Sequence, residues 1–424
     1  IVARVLGAEG QGIYSAAITF PNLWAGIGVL GLDAAHLYYA ARDRRMLGRV
    51  VANSGVVVLL SFVILLPSYL VLLEPILGGE GRALRPYLLL SALVVPLVVA
   101  RHFALSLFLA LGRVERYNLL LLLSQVALLG LIAVGLLAAG RGTRFVLIAY
   151  QASLLAFLLP AFFWLRRELT PEDRAELRPS RALFRDGLVY GMKGHVGSIL
   201  TQFSYRFDTV LVLGWLGAAA QGYYSIAVLL AEKLSHITAS VQFVLFPRIS
   251  AAATEEADRI TPTVCRATLA VVAVAGVVLF AAGKLLLRLF YGRAYDPALA
   301  PYYILLPGIV ALTLSNVLSS DLSGRNRRVH VTVGMGAGFA VNLLLNFLWI
   351  RRYGIAGAAL ASAVSYAFQS ALMAVFFWRI TGIPPHRLVV PERGDWGLYV
   401  GVARRLFSRL RRRAIDAPAG RPAP

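Results

Sequence analysis

Long apolar runs separated by short polar joints fill the chain from residue 13 to residue 378. Bounded by charge or by Gly and Pro, they cover residues 13–40, 51–73, 86–111, 117–139, 145–165, 184–213, 219–247, 264–287, 299–320, 329–350 and 354–378. About 20 apolar residues suffice for one helical crossing of a bilayer, so the pattern predicts eleven crossings. Membrane strands would be shorter and would alternate in polarity. These runs are continuously apolar, so the expected class is an all-α integral membrane protein.

Composition agrees, since 58% of the 424 residues are hydrophobic, 15% are charged and the mean hydropathy is +0.71. That charge fraction is well under the quarter usual in soluble domains, which excludes a soluble enzyme. The net charge of +21 would suit nucleic acid were it not split into short clusters between apolar runs, as in membrane loops. The joints after crossings one, three, five, seven and nine hold 18 Arg against 10 Lys and Arg in the alternate joints. By the positive-inside rule the first set is cytoplasmic, so the C-terminus is expected inside a multi-pass protein of the cell membrane. Cys265 is the single cysteine, which leaves no internal disulfide and no cysteine metal cluster.

An internal repeat organises the runs. LGAEGQGIYSAA (Leu6 to Ala17) and LGAAAQGYYSIA (Leu216 to Ala227) are identical at eight of twelve positions, 210 residues apart. Weaker echoes follow in Pro86-Tyr87 against Pro301-Tyr302 and Gly112-Arg113 against Gly324-Arg325. Both copies of the loop fall on the outer side, so the repeat is parallel, with two lobes related by an axis along the membrane normal. The second copy follows a full helix, 184–213, whose counterpart would lie before residue 4. Two six-helix lobes with the first helix missing are therefore expected. Residues 1–165 form the N-terminal lobe, 166–183 a charged cytoplasmic linker, 184–380 the C-terminal lobe and 381–424 a basic cytoplasmic tail. Within that tail, Trp396 to Arg413 reads as an interfacial amphipathic helix, its apolar stretch being too short to span.

The loop LGAEGQGIYS, the run YRFDTVLVLGWLGAAAQGYYS (Tyr205 to Ser225), LFPRIS (Leu245 to Ser250) and GRNRR resemble the polysaccharide (O-antigen, capsule, teichoic acid) flippases of the multidrug/oligosaccharidyl-lipid/polysaccharide exporter superfamily. The resemblance runs to about residue 380. It implies a twelve-helix flippase that moves a polyprenyl-diphosphate-linked oligosaccharide from the cytoplasmic to the outer leaflet by alternating access, for cell-surface polysaccharide biosynthesis. The partners it implies are that lipid and the membrane lipids, with a polysaccharide polymerase or glycosyltransferases as candidate protein partners and no nucleic acid.

Ionisable residues within the runs are functional candidates, because a charge at the bilayer centre costs at least about 2.5–3.5 kcal/mol. Residues 184–213 carry Lys193, His195, Gln202, Arg206 and Asp208. His195, Gln202 and Arg206 share one helical face while Lys193 and Asp208 share the opposite one, so this helix must be wrapped by protein or line a cavity. The next run sets Ser225, Glu232, His236 and Ser240 on one stripe. Arg101, Lys193 and Arg206 are read as a cationic cavity for the diphosphate, since a guanidinium fork donates two hydrogen bonds at once to phosphate. His195, Gln202, Asp208, Glu232 and His236 are the polar cavity and coupling candidates. Counting about 1.5 Å per residue from a loop at 213–219 puts Arg206 roughly 10 Å and Glu232 roughly 20 Å below it. Separate duties are expected for the two, diphosphate for Arg206 and protons or a pairing with Lys193 for Glu232.

Plainer readings stand beside these. Arg206 and Asp208 as structural ion-pair partners, Lys193 snorkelling to the interface, and Asp33 and His36 near the cytoplasmic end as interfacial groups are all consistent with the pattern. GMGAG (Gly334 to Gly338) lies inside an apolar run with no preceding strand and reads as helix packing. No HExxH, no Walker GK[ST] and no Cys/His ligand set occurs, so no catalytic residue, metal or cofactor is assigned and a non-enzymatic protein is expected. The alternatives are a drug or cation antiporter of the same superfamily, which would want an acidic cavity, and a membrane glycosyltransferase or polymerase, which would want an acidic cluster in a sizeable loop.

Overall fold

A computed structural model describes residues 1–138, 142–392 and 394; the helix expected over Trp396 to Arg413 lies outside them. Among the described residues every regular element is helical. The chain opens with α1 (Val2–Gly28) and α2 (Leu32–Arg42), bent by 54° where they meet. There follow α3 (Leu47–Leu60), a π-helical stretch at Ser61–Leu65, α4 (Leu66–Ser91), α5 (Val94–Ala110), α6 (Val114–Ala133) and α7 (Thr143–Glu168). A short α8 (Pro171–Ala175) leads into α9 (Arg181–Ala231), and α10 (Ser235–Ala251), α11 (Thr254–Tyr291), α12 (Leu299–Gly324), α13 (Arg328–Thr381) and α14 (His386–Val389) complete the order.

Eight stretches among the described residues are long and apolar enough to cross a membrane, or nine with α1 and α2 taken as one bent span. Two of them, Arg181–Ala251 and Arg328–Thr381, run to 71 and 54 residues. At 1.5 Å per residue these are about 105 and 80 Å long, far more than a hydrocarbon core of about 30 Å. Each is broken at a glycine, Gly217 (φ 82°, ψ 177°) or Gly354 (φ 61°, ψ −142°). α1 has the same break at Gly7 (φ 68°, ψ −170°). Gly7 and Gly217 are equivalent positions of the 210-residue repeat, and this backbone region is open to glycine and hardly to any other residue.

The first compact unit comprises Ile1–Glu232, Phe280–Gly308 and Thr332–Ser365. Its core packs Ala17, Phe20 and Leu23 of α1 and Leu213 of α9 with Val95, Val99 and Phe103 of α5 and Leu154 of α7. α1 meets α9 at unusually close range. A Cβ on Gly12 would overlap the Ala218 carbonyl, and one on Gly222 would overlap the Ala8 carbonyl. Gln11 Nε2 donates to Ser225 Oγ at 3.4 Å while Gln221 Nε2 donates to Ser15 Oγ at 3.4 Å. Every one of these contacts maps onto its partner by adding or subtracting 210.

The linker is firmly seated within this unit. Thr170 and Asp173 form a reciprocal cap on α8. Arg44 approaches Asp173 at 3.5 Å, Arg49 donates to Glu176 at 2.7 Å, and Asn53 exchanges two hydrogen bonds with the backbone of Ser180. The hydrogen bond from Arg49 holds the Glu176 carboxyl below its usual range. In the second unit, made of Lys233–Leu279, Ile309–Val331 and the chain from Tyr366, Arg325 binds Asp321 and Asp258 at 2.8 Å each, and Thr261 donates to Asp321 at 2.6 Å. The turn after α12 places Asn326 at φ 61°, with Arg327 N–H bonded to Leu322 O, just as Gly112 sits at φ 67° with Arg113 N–H bonded to Phe108 O. The structural echo of Gly112 is thus Asn326, two residues beyond the Gly324 suggested by sequence, because the turn geometry and not the glycine is what recurs.

Candidate functional site

On α1, Gln11, Ser15, Thr19 and Asn22 recur at spacings of four, four and three and so share one face, with Tyr14 beside them. Beyond Gly217, Ser225 and Leu229 of α9 and Glu232 just past its end stand 210 residues after Ser15, Thr19 and Asn22. These two stripes, together with Tyr150 of α7 and Gln202, Arg206 and Thr209 of α9 before its break, enclose a cavity of about 460 Å³ inside the first unit. Ile18, Leu23, Val228 and Leu229 supply its apolar surface. Arg206 and Glu232 are the charged residues of this lining.

Those two residues form a planar two-point pair, Nη1 to Oε1 at 3.1 Å and Nη2 to Oε2 at 2.9 Å. The expected separation in depth does not arise, because there is no loop at 213–219; the helix continues to Gly217 on one side and resumes at once on the other. Counted from that break, eleven residues back and fifteen forward, the pair differs in depth by only about 6 Å at 1.5 Å per residue, within an arginine's reach. With 40% and 28% of the side chains exposed, the pair stands nearer to open ion pairs, worth about 0.2–1 kcal/mol, than to buried ones whose disruption costs about 3–5 kcal/mol. It is accessible to a ligand and is not the main support of the fold.

Gln202 also lines a second cavity of about 250 Å³ with Asp33, His102, His195, Gly191 and Gly194. His102 Nδ1 is 4.0 Å from Asp33 Oδ2, and His195 Nε2 is buried with no hydrogen-bond partner among the described residues. His36 is separate, buried with Nδ1 at 2.8 Å from Ser54 Oγ and its ring against Phe103.

Asp208 faces neither cavity. It is buried, accepting hydrogen bonds from the Tyr224 hydroxyl, from Thr209 N–H at 2.7 Å and from Ser362 Oγ at 3.3 Å. Ser362 in turn accepts from Asn342, which also bonds Ser365 and Asn346. Arg206 therefore pairs with Glu232, and Asp208 anchors a separate polar network that joins α9 to α13. Arg101 lays its guanidinium over the Phe157 ring at 5.6 Å and is outside both linings, where its neighbour His102 stands instead. Lys193 is exposed on α9 and also outside both. His236 is exposed on α10, in the second unit. A turn of tighter helix at Glu232–Leu234 breaks the helical stripe that aligned it with Glu232.

The α1 face went unread in the sequence because Gln, Thr, Ser and Asn carry no charge. The repeat offers the signal: subtracting 210 from Ser225 and Glu232 returns Ser15 and Asn22. Among the described residues no group of three or more His, Cys, Asp or Glu is arranged to hold a metal ion. The arrangement presents two cavities beside α9, each with apolar walls set with polar side chains, and Gln202 lines both.

The fold is shared with solved transporters. An inward-facing multidrug resistance MATE family transporter of the MOP superfamily superposes with a TM-score of 0.73, at 14% identity over 88% of this chain and 93% of that one. The lipid II flippase MurJ in an inward closed conformation superposes with a TM-score of 0.65, at 13% identity over 88% and 83%. In sequence, the chain is 27% identical over 236 residues to an uncharacterized membrane protein, YabM, of Bacillus subtilis (strain 168), a match that takes in 52% of this chain and 44% of the relative's length. A family model described as polysaccharide biosynthesis protein matches residues 1–253. That match covers more than half of a multi-span helical membrane protein with the MOP-type fold, and the protein belongs to the polysaccharide biosynthesis protein family.

Proposed function

We propose that the protein is a flippase that carries a polyprenyl-diphosphate-linked oligosaccharide from the cytoplasmic to the outer leaflet by alternating access. The observation that carries this reading is the pair of cavities along α9 that share Gln202 and carry uncharged and charged polar side chains in apolar walls, set inside a membrane fold of transporter type. A sugar-bearing head group needs polar side chains along its route because it cannot enter hydrocarbon unsolvated. MurJ, a lipid II flippase, shares the fold, which supports a lipid-linked cargo. A cation antiporter would want an acidic cavity, and the one carboxylate of the larger lining is balanced by Arg206.

In this reading the chain crosses the membrane eleven times, with Arg181–Ala251 and Arg328–Thr381 each counted as two crossings at their glycine breaks. Its halves, 1–165 and 184–380, are the two lobes, and the linker and tail are cytoplasmic. His195 and His102, which line the smaller cavity, are the groups offered to the diphosphate inside the protein, and Lys193, exposed on α9 outside both cavities, would meet it only at the surface. Glu232 is the proton- or ion-responsive candidate, while Asp208, held by Tyr224, Thr209 and Ser362 away from both cavities, supports the packing of α9 on α13. Reconstituted into vesicles, the protein should move a fluorescent polyprenyl-diphosphate sugar between leaflets without altering it covalently, read by loss of fluorescence to an impermeant quencher. Vesicles that leave this lipid in place but exchange an organic cation for protons would replace the flippase by the antiporter.

A further inference from the structure

We propose that the larger cavity is a subsite for an uncharged sugar ring of the carried lipid and that the diphosphate stays outside it; this rests on the flippase reading. The first reason is charge. Arg206 and Glu232 are the charged groups of the lining, and their two-point pair sums to zero. A lining of zero net charge offers a diphosphate or a sugar acid no attraction to offset the cost of stripping an anion of its water.

The second reason is the kind of hydrogen-bonding capacity left open. The hydroxyls of Tyr14, Thr19 and Thr209 and the amide oxygens of Asn22 and Gln202 have no protein hydrogen-bond partner among the described residues. Phosphate oxygens only accept, so the two amide oxygens would face a diphosphate unsatisfied. Sugar hydroxyls both donate and accept and can use all five groups. Size agrees as well: about 460 Å³ lies low in the range of about 300–1,000 Å³ typical of small-molecule sites. The apolar wall formed by Leu23 and Val228 suits the C–H face of a ring.

The test compares three probes on the full chain in detergent: a short prenyl diphosphate, the same lipid bearing N-acetylglucosamine, and the same lipid bearing glucuronic acid. The neutral sugar should raise affinity about tenfold over the bare diphosphate lipid and the sugar acid should give no gain, since a site built to bond hydroxyls discriminates strongly by their presence. Thr19→Val and Tyr14→Phe, which remove a hydroxyl at nearly constant volume, should each remove much of that gain while binding of the bare lipid is unchanged. Both variants are checked by thermal unfolding, and either one alone suffices if the other does not fold. Equal binding of the bare and neutral-sugar probes, a preference for the acid, or an equal loss for all three probes in the variants overturns the subsite. If such a protein still flips the lipids in vesicles, the flippase reading stands without it; if none of the probes binds or flips, both fall.

Discussion

At the residue scale, the pairing of Arg206 with Glu232 turns two separate sequence candidates into one device. Arg206→Lys keeps the charge but loses the fork that holds two carboxylate oxygens at 2.9 and 3.1 Å. Flipping should fall at least about tenfold while the unfolding temperature hardly moves, as suits a part-exposed pair. Glu232→Gln mimics the protonated acid, so any dependence of flipping on an imposed proton gradient should vanish; a gradient response equal to the parent's removes Glu232 from coupling. Asp208 predicts the opposite balance. Tyr224→Phe strips one donor from a buried carboxylate, a loss of about 1–3 kcal/mol, and should lower the unfolding temperature in detergent before it touches substrate affinity. An unchanged unfolding temperature would mean that Asp208 finds another partner and that the network to Ser362 is not structural support. Charged residues in apolar runs were legible in the sequence because nothing else there competes for notice. Their partners were not, since pairing depends on a break at Gly217 that moves Glu232 by several ångströms of depth.

At the element scale, the contact of α1 with α9 is written in repeat-related pairs, so its two halves should fail alike. Gly12→Ala would set a methyl against the Ala218 carbonyl, and Gly222→Ala would set one against the Ala8 carbonyl. Either should force the helices apart and disfavour this arrangement, with similar size because the geometry is nearly the same. A cysteine pair at Ser15 and Gln221, whose native side chains meet at 3.4 Å through the long reach of the glutamine, should be bridged readily by a short bifunctional thiol reagent in the parent and several-fold less in each glycine variant. The single native cysteine, Cys265, is buried and gives little background. Cross-linking that is undiminished in both variants would show that the backbones yield without separating. This contact was half visible beforehand: the eight identities of the repeat mark the loops, but identity alone does not tell that Gly12 and Gly222 meet the opposite copy. What sequence lacks here is approach distance, which two helices of small residues determine together.

At the scale of the whole molecule, the number of crossings depends on how the long stretches are divided, and hydropathy cannot divide them. The stretch Arg181–Ala251 is apolar enough to span yet holds Gln202, Arg206 and Glu232 of the cavity lining, so an average over it does not register the backbone break at Gly217. The eleven apolar runs place a division next to the backbone break, because Gly217 lies between 184–213 and 219–247. They mistake its nature, taking a bend of one residue for a loop of several. Two exposed sites test the division, Glu172 in the linker and Arg293 after α11. Three crossings separate them if Gly217 divides the stretch, and two if it does not, so the parity decides the side. In a Cys265→Ser background, Glu172→Cys should react with an impermeant maleimide only from the cytoplasmic side, following the Arg-rich joints. Arg293→Cys should react only from the outside. Labelling of both from one side would mean that Arg181–Ala251 crosses once, and the C-terminal lobe proposed above would lose one of its six crossings. Labelling on opposite sides in the reverse sense would keep eleven crossings and invert the protein in the membrane, against its own charge distribution.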